Sequence, residues 1–371
     1  MRVLHVAEVS HGGVISLVRT FAEQQVKAGF DVHVLTAPDV GPLAGVVHEW
    51  NPHRRRLASY PAYALRLRQV VATVRPDVVH LHSFFPGLFG RMVRLPPGTA
   101  VVYQPHSWAF ERIPARAVGG AVAWERFAAR RTDVVVTNCE SELQEGHDHG
   151  LRVRGEVVGL PIDTEHFAPV NDVERLRIRE DLGLGEHRLL LCVGRISHQK
   201  GQVPLATAWE SDPIPDTVLA MIGPGDPAEV VAAAPTAVGN TLRLVGPLSD
   251  VRPWLHAADL CVQPSRYEGQ SVAMAEAMSC GRAVVMTDVN GAREALCPDG
   301  EPAAGAVVSL GDLGSLLGAA RARLDDESLV RAEEHVARGR AVSMFGLDEV
   351  MGRLEAVYRR ATAEPARTYP V

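Results

Sequence analysis

Lysine is nearly absent from this chain: Lys27 and Lys200 stand against 36 arginines. A GC-rich genome would give the same bias, so a surviving lysine carries weight only beside other signals. Long apolar runs are missing too. The longest, such as Val134–Val136 and Leu189–Val193, are strand-length, far short of the roughly 18 residues that span a bilayer. The amino terminus, Met1-Arg2-Val3-Leu4-His5-Val6-Ala7-Glu8, has no basic stretch followed by an apolar one, so no secretory leader is expected and the expected location is cytoplasmic. Cysteine is scarce and scattered (Cys139, Cys192, Cys261, Cys280, Cys297), odd in number and without a C-x-x-C pair, which reads as buried free thiols. Internal repeats, low-complexity segments and a GxxxxGK[ST] phosphate loop are all absent.

What is present is ordinary globular composition, 46% hydrophobic and 22% charged over 371 residues, enough for about two domains. The net charge of −6 hides an asymmetry: residues 1–131 carry a balance of +8 and the remainder −14. Opposite signs in the two halves point to two surfaces with different partners.

Apolar runs alternate with helical patterns throughout. In the first half, Arg2–Val9, Asp31–Thr36, Asp77–Leu81, Ala100–Gln104, Asp133–Asn138 and Glu156–Gly159 read as strands. Val14–Ala28, Tyr60–Val74 and Pro114–Arg131 carry helical spacing. The pattern restarts after a polar linker, with strands expected at Leu189–Val193, Val218–Ile222, Leu242–Val245, Asp259–Pro264 and Ala283–Thr287. Strands separated by helices imply βαβ units. The expected fold is therefore α/β, two doubly wound Rossmann-like domains facing a central cleft, with ligands held outside the carboxyl ends of the strands.

Two segments at such strand ends can carry chemistry. Gly194-Arg195-Ile196-Ser197-His198-Gln199-Lys200-Gly201 joins a strand to a helix; a helix amino terminus with an arginine and a lysine beside it suits a phosphate. Glu268-Gly269-Gln270-Ser271 and Glu276 lie past a later strand and enter an apolar helix. A charge between Ala275 and Ala277 is costly unless used, and carboxylates accept hydrogen bonds from sugar hydroxyls. His147-Asp148-His149 lacks a third ligand and reads as helix-end polarity.

Gly-Arg-x4-Lys-Gly at 194–201, Glu-x7-Glu at 268–276, Gly281-x-Ala283-Val284-Val285 and Gly291-x2-Glu294 together resemble family 4 of the retaining glycosyltransferases, enzymes of the GT-B fold. The likeness covers the whole chain, through Gly12-Gly13, Val79-His80-Leu81-His82, Pro105-His106, Pro161-Ile162-Asp163 and Ile222-Gly223-Pro224-Gly225. It implies an acceptor-binding domain over 1–165, a nucleotide-sugar-binding domain over 166–344 and a terminal helix over 345–371 crossing back to the first. By position, Arg195 and Lys200 would bind the donor diphosphate, Glu276 the ribose hydroxyls and Glu268 the donor sugar. Gly194, Gly223, Pro247 and Leu248 would flank the nucleotide, and Gly269, Gln270 and Ser271 would meet the sugar. Gly12 and Gly13 would bring backbone amides to the phosphate, and His106 would reach the sugar or the reaction centre. Two positions depart from the family pattern: Gly159-Leu160-Pro161 replaces Asn-Gly, and Gln270-Ser271 stands where many members carry an aromatic residue and Gly or Pro.

The resemblance implies a retaining transfer from a nucleoside-diphosphate sugar, UDP- before GDP-, to an acceptor hydroxyl, by same-face attack and without a metal or a tightly bound cofactor. Cell-surface glycan, glycolipid and secondary-metabolite synthesis all fit. Acceptor candidates are His82, Trp108 and the Arg54-Arg55-Arg56 run, the last suggesting an anionic or lipid-linked acceptor and peripheral contact with the inner membrane face. His82 could equally be structural, and Trp108 core packing. No nucleic-acid motif appears. The rivals are a nucleotide-sugar epimerase on the same fold and a non-catalytic sugar-nucleotide binding protein. A dehydrogenase is excluded because residues 9–14, Val-Ser-His-Gly-Gly-Val, lack GxGxxG.

Overall fold

The computed structural model describes residues 1–9, 12–50 and 59–363; Arg54, Arg55 and Arg56 lie outside the described residues. The chain divides into two compact units, Met1–Pro161 with Asp348–Val371, and Ile162–Leu347. The sequence reading placed these divisions at 165 and 344.

The first unit contains β1 (Arg2–Val6), α1 (Gly13–Lys27), β2 (Asp31–Thr36), β3 (Val46–Glu49), α2 (Tyr60–Val74), β4 (Val78–His82) and α3 (Phe84–Met92). It continues with β5 (Ala100–Gln104), α4 (Ala115–Ala128), β6 (Val134–Thr137), α5 (Glu140–Asp148) and β7 (Gly155–Val157). Its seven strands run parallel in the order β3-β2-β1-β4-β5-β6-β7. Central strands such as β4 and β5 are buried along their whole length, as expected when helices cover both faces of a parallel sheet.

The second unit contains α6 (Asp172–Asp181), β8 (Arg188–Val193), α7 (Gln202–Ser211), β9 (Thr217–Ile222), α8 (Ala228–Ala233), β10 (Leu242–Gly246), α9 (Arg252–Ala257) and β11 (Leu260–Gln263). It continues with α10 (Val272–Ser279), β12 (Val284–Thr287), α11 (Ala292–Leu296), β13 (Gly305–Val308), α12 (Leu313–Leu324) and α13 (Glu327–Phe345). Its six parallel strands are ordered β10-β9-β8-β11-β12-β13. Trp209, Leu190, Leu219 and Val262 are fully enclosed in its core, each apolar side chain contributing about 1.5–3 kcal/mol on burial.

The chain enters and leaves this unit side by side, the Ile162 amide donating to the Phe345 carbonyl at 2.8 Å. Gly346 ends α13, and α14 (Leu347–Ala363) follows. There Tyr358 sits 2.6 Å from His80 Nδ1, and the Arg353 guanidinium donates to the Val158 carbonyl at 3.0 Å. In each sheet the strand order reverses once, between β1 and β4 and between β8 and β11. A crevice opens outside the carboxyl ends of the strands at such a reversal.

Candidate functional site

In the second unit, the two loops at the reversal are the two segments singled out in the sequence. The loop from β8 turns through Gly194 and packs tightly. A side chain at Gly223 would put Cβ 2.3 Å from the Gly194 carbonyl oxygen, and one at Gly201 (φ 72°) would put it 2.2 Å from the Pro264 oxygen. Both glycines are therefore required by close approach of backbone. Gln202, almost fully buried, organises the turn: its amide nitrogen donates to the Gly194 and Arg195 carbonyls at 3.0 and 2.9 Å, and its oxygen accepts from the Ser197 amide at 3.3 Å. Arg195 is exposed.

The loop from β11 meets it through an ion pair. Lys200 Nζ lies 2.5 Å from Glu268 Oε1, with side chains 20% and 7% exposed. Glu268 is also held by the Ser265 hydroxyl at 2.8 Å and the Gln199 amide at 3.3 Å. The Arg266 amide donates to the Gln199 carbonyl at 2.8 Å, so backbone as well as side chains join the loops. Ser271 caps α10 through the Met274 amide and donates to Gln263 Oε1 at 2.5 Å. Glu276 lies one turn into this helix. Burial pushes its carboxyl up to about 7, and the Lys200 charge pulls it the other way.

Gln270 is 5% exposed, and neither its amide oxygen nor its nitrogen has a protein partner. Its side chain packs on Gly291, where a Cβ would come within 2.8 Å of Gln270 Cγ. A buried amide left unpaired at both ends costs about 1–3 kcal/mol per group, which marks the place as built for a polar partner. Pro247 and Leu248 follow β10, with Leu248 exposed. The Gly223 amide donates to the Gly246 carbonyl at 2.9 Å, tying those two strand ends together. Arg195, Lys200, Glu268 and Glu276 thus share one reversal point. Chemically, the arginine and lysine are groups that attract phosphate oxygens and the two carboxylates are acceptors for hydroxyls.

The first unit holds its own set past the carboxyl ends of β1 and β5. Gly12 (φ 99°) precedes α1, and Gly13 is the first residue of that helix. His106 follows β5 in a left-handed turn, with φ 52° there and 81° at Ser107. Glu142 clamps that turn, accepting from the Ser107 and Asn138 amides at 2.6 and 3.0 Å. Arg112 bonds the His106 carbonyl. Burial pushes the Glu142 carboxyl up to about 8.

Both candidate acceptor residues described here are enclosed. Trp108 is fully buried, its indole N–H donating to the Glu142 carbonyl at 2.7 Å, so packing is its observed role and it offers no open wall. His82 is also fully buried, between His5 and His106. His149 stacks on Phe110, and Asp148 accepts from the Gln144 amide. Among the described residues, His5, His80 and His82 bring ring nitrogens within 4.8 Å of one another. Most of these ring nitrogens already face protein partners: His5 Nδ1 and His82 Nε2 face each other at 3.0 Å, His5 Nε2 faces Gln25, His82 Nδ1 faces His106 and His80 Nδ1 faces Tyr358. Four cysteines are buried and none is paired. No described helix is long and apolar enough to cross a membrane.

Sequence reasoning gave no role to Gln199 and Ser265, although both lie in or beside the two segments, and missed Gln202 and Glu142. All four act on backbone or on a neighbouring side chain, and no spacing rule singles them out.

Comparison with known proteins agrees across both units. Residues 11–166 match the model of "Glycosyltransferase Family 4", and residues 187–326 that of "Glycosyl transferases group 1". An alpha-maltose-1-phosphate synthase of Mycolicibacterium smegmatis is 30% identical over 314 residues, covering 77% of this chain and 78% of that protein. The Escherichia coli UDP-Gal:alpha-D-GlcNAc-diphosphoundecaprenol alpha-1,3-galactosyltransferase is 26% identical over 306 residues, covering 79% and 78%. The crystal structure of Anabaena HepE in complex with UDP and glucose superposes with a TM-score of 0.82 at 17% identity, over 97% of this chain and 100% of that one. The chain belongs to the family 4, or group 1, glycosyltransferases and has the GT-B type of fold.

Proposed function

We propose that this glycosyltransferase moves a sugar from a nucleoside-diphosphate sugar, UDP-linked before GDP-linked, to an acceptor hydroxyl with retention of anomeric configuration. The observation that carries the reading is the Lys200–Glu268 pair joining two strand-end loops, beside the exposed Arg195 and the half-buried Glu276. Cleavage of the anomeric C–O bond leaves negative charge on the departing diphosphate. Arg195, Lys200 and the nearby helix amino termini supply the opposite charge where that develops. Glu276 accepts from the ribose diol, Glu268 orients the sugar, and Gln270 pairs with its hydroxyls. The acceptor oxygen forms the new bond to the anomeric carbon on the face the phosphate leaves, and its proton passes to the departing phosphate oxygen. No step is routed through a metal, so transfer is expected to survive chelators.

In this reading the first unit meets substrate through Gly12, Gly13 and His106, with His106 reaching the sugar or the reaction centre, and that unit selects the acceptor. Its basic sequence, with Arg54–Arg56, favours an anionic or lipid-linked acceptor at a membrane face; the Escherichia coli relative's name also specifies a lipid diphosphate. The test is a panel of UDP-, GDP- and ADP-sugars, followed by thermal shift and by slow hydrolysis without acceptor, then transfer to a lipid-linked sugar diphosphate. One donor should stabilise the protein, release its nucleoside diphosphate and give a product whose anomeric proton coupling matches the donor. Conversion of the donor to an epimer without nucleotide release, or no donor binding at all, would overturn the proposal.

A further inference from the structure

Parallel register sets His5 on β1 beside His80 on β4, and strand alternation puts His82 on the same face. The result is a single file of polar groups inside the first unit. His5 Nε2 lies 2.8 Å from Gln25 Oε1, His5 Nδ1 lies 3.0 Å from His82 Nε2, and His82 Nδ1 lies 3.0 Å from His106 Nε2. At the far end His106 Nδ1 faces the Asn138 amide nitrogen at 3.5 Å, and the Asn138 oxygen already accepts from Gln104 at 2.8 Å.

The order of protons along this file follows from its ends. The Gln25 oxygen can only accept, so His5 carries its proton on Nε2. A neutral imidazole has one N–H, so His5 Nδ1 accepts, and His82 must donate from Nε2. The same step makes His106 donate from Nε2 and leaves its Nδ1 a lone pair, which the Asn138 amide faces. Both ends agree on one direction.

We propose that Gln25, His5 and His82 are positioning residues that lock His106 as the neutral Nε2–H tautomer, keeping Nδ1 an acceptor that the Asn138 amide faces at 3.5 Å in the unliganded protein and that a substrate hydroxyl takes over when bound. This rests on the role given to His106 in the proposed function. Hydrogen bonds between buried rings hold the members of the file in place, and the clamped left-handed turn fixes the backbone beneath the ring.

The surroundings keep the file uncharged. No carboxylate belongs to it. Burial holds His5 near 4 and His106 near 3, and the Arg112 charge acts on His106 in the same direction. His80, ring to ring with His82 at 4.0 Å, is lowered by burial as well, and the Tyr358 phenol occupies its Nδ1. Glu142 faces this region through the Ser107 and Asn138 amides.

The test uses full-length protein labelled with 15N-histidine. Long-range 15N–1H spectra should show His5, His82 and His106 as Nε2–H tautomers that do not titrate from pH 8 down to pH 5. Gln25→Leu removes the terminal acceptor at similar volume. It should let the tautomers redistribute and lower kcat roughly tenfold, with donor KM within about twofold, as expected for a misplaced group. Gln25→Glu keeps an accepting oxygen and should hold His5 as Nε2–H, while the added carboxylate raises the pH at which His5 titrates. An Nδ1–H tautomer at any of the three in wild type, titration near the ordinary histidine value, or stoichiometric transition metal in the purified protein would overturn the proposal. So would redistribution in Gln25→Leu with kcat unchanged. Failure of wild-type protein to transfer sugar counts against the proposed function alone, because the wild-type spectra judge the file directly.

Discussion

Replacing Lys200 by methionine separates stability from chemistry at the candidate site. In the unliganded protein, Lys200 neutralises Glu268, whose side chain is only 7% exposed. Removing one partner of a buried pair leaves an uncompensated charge and costs about 3–5 kcal/mol. The Ser265 hydroxyl and the Gln199 amide still bond the carboxylate, and Lys200 retains some solvent, so the cost falls below that range, to about 2–3 kcal/mol. For a unit of this size that lowers the melting temperature by about 5–10 °C. Adding Glu268→Gln removes the stranded charge while keeping an acceptor for Ser265, and should recover most of the loss. Turnover behaves differently. A cation lost from the leaving diphosphate costs about 2–4 kcal/mol of transition-state stabilisation, roughly 10²–10³ in rate. The double variant should therefore melt nearly as wild type yet remain slow. Calorimetric melting and nucleotide release at saturating donor read the two effects. A single variant within about 1 kcal/mol of wild type, or a double variant with restored turnover, would refute the reasoning.

Three further outcomes follow, two from the geometry of the second unit and one from the sequence of the first. Glu276, near 7 when unliganded, should accept from the ribose diol as the carboxylate, so nucleotide affinity should fall about twofold at pH 7 and about tenfold at pH 6 relative to pH 8.5. For stability the sign reverses. The raised folded value means that the neutral carboxyl's contribution is full below about pH 4.5 and fades as pH rises through 7. Gln270→Leu removes an unpaired buried amide, so it should raise the melting temperature of unliganded protein while reducing the extra affinity of donor over free nucleotide. Differential scanning with UDP and with the donor shows both. Replacing Arg54, Arg55 and Arg56 by serine should leave donor binding intact, raise acceptor KM and weaken flotation with anionic vesicles, an effect that fades with salt.

The sequence disclosed the parallel architecture because its central strands are apolar runs between helices. It did not disclose β3, whose Val46 and Val47 are exposed at a sheet edge, nor β13, where Gly305-Ala306-Val307-Val308 is too short and small to stand out. The third helix, α3, was hidden by Pro86 and two glycines. Those glycines are packing requirements: a Cβ at Gly87 or Gly90 would come within 2.4 or 2.3 Å of Tyr103 or Leu81. At the site, Arg195, Lys200, Glu268 and Glu276 were legible because charges at strand ends and in an apolar helix are unusual. Gln202 was not, since its work is to hold carbonyls of its own loop. The histidine file needed the β1–β4 register, which no local pattern supplies. His106 was legible as a residue, but its left-handed backbone and inward ring came only with the fold.

The central claim is that the reversal point between β8 and β11 binds the nucleoside diphosphate. Calorimetric titration of UDP, with GDP in parallel, into wild type, Arg195→Ala, Glu276→Gln and His106→Ala tests it most directly. The account predicts that one nucleotide binds wild type and His106→Ala alike. Arg195→Ala and Glu276→Gln should each lose about 1.5–3 kcal/mol, a factor of roughly 10–100 or more in affinity. Binding of the nucleotide as tightly to those two variants as to wild type would contradict it.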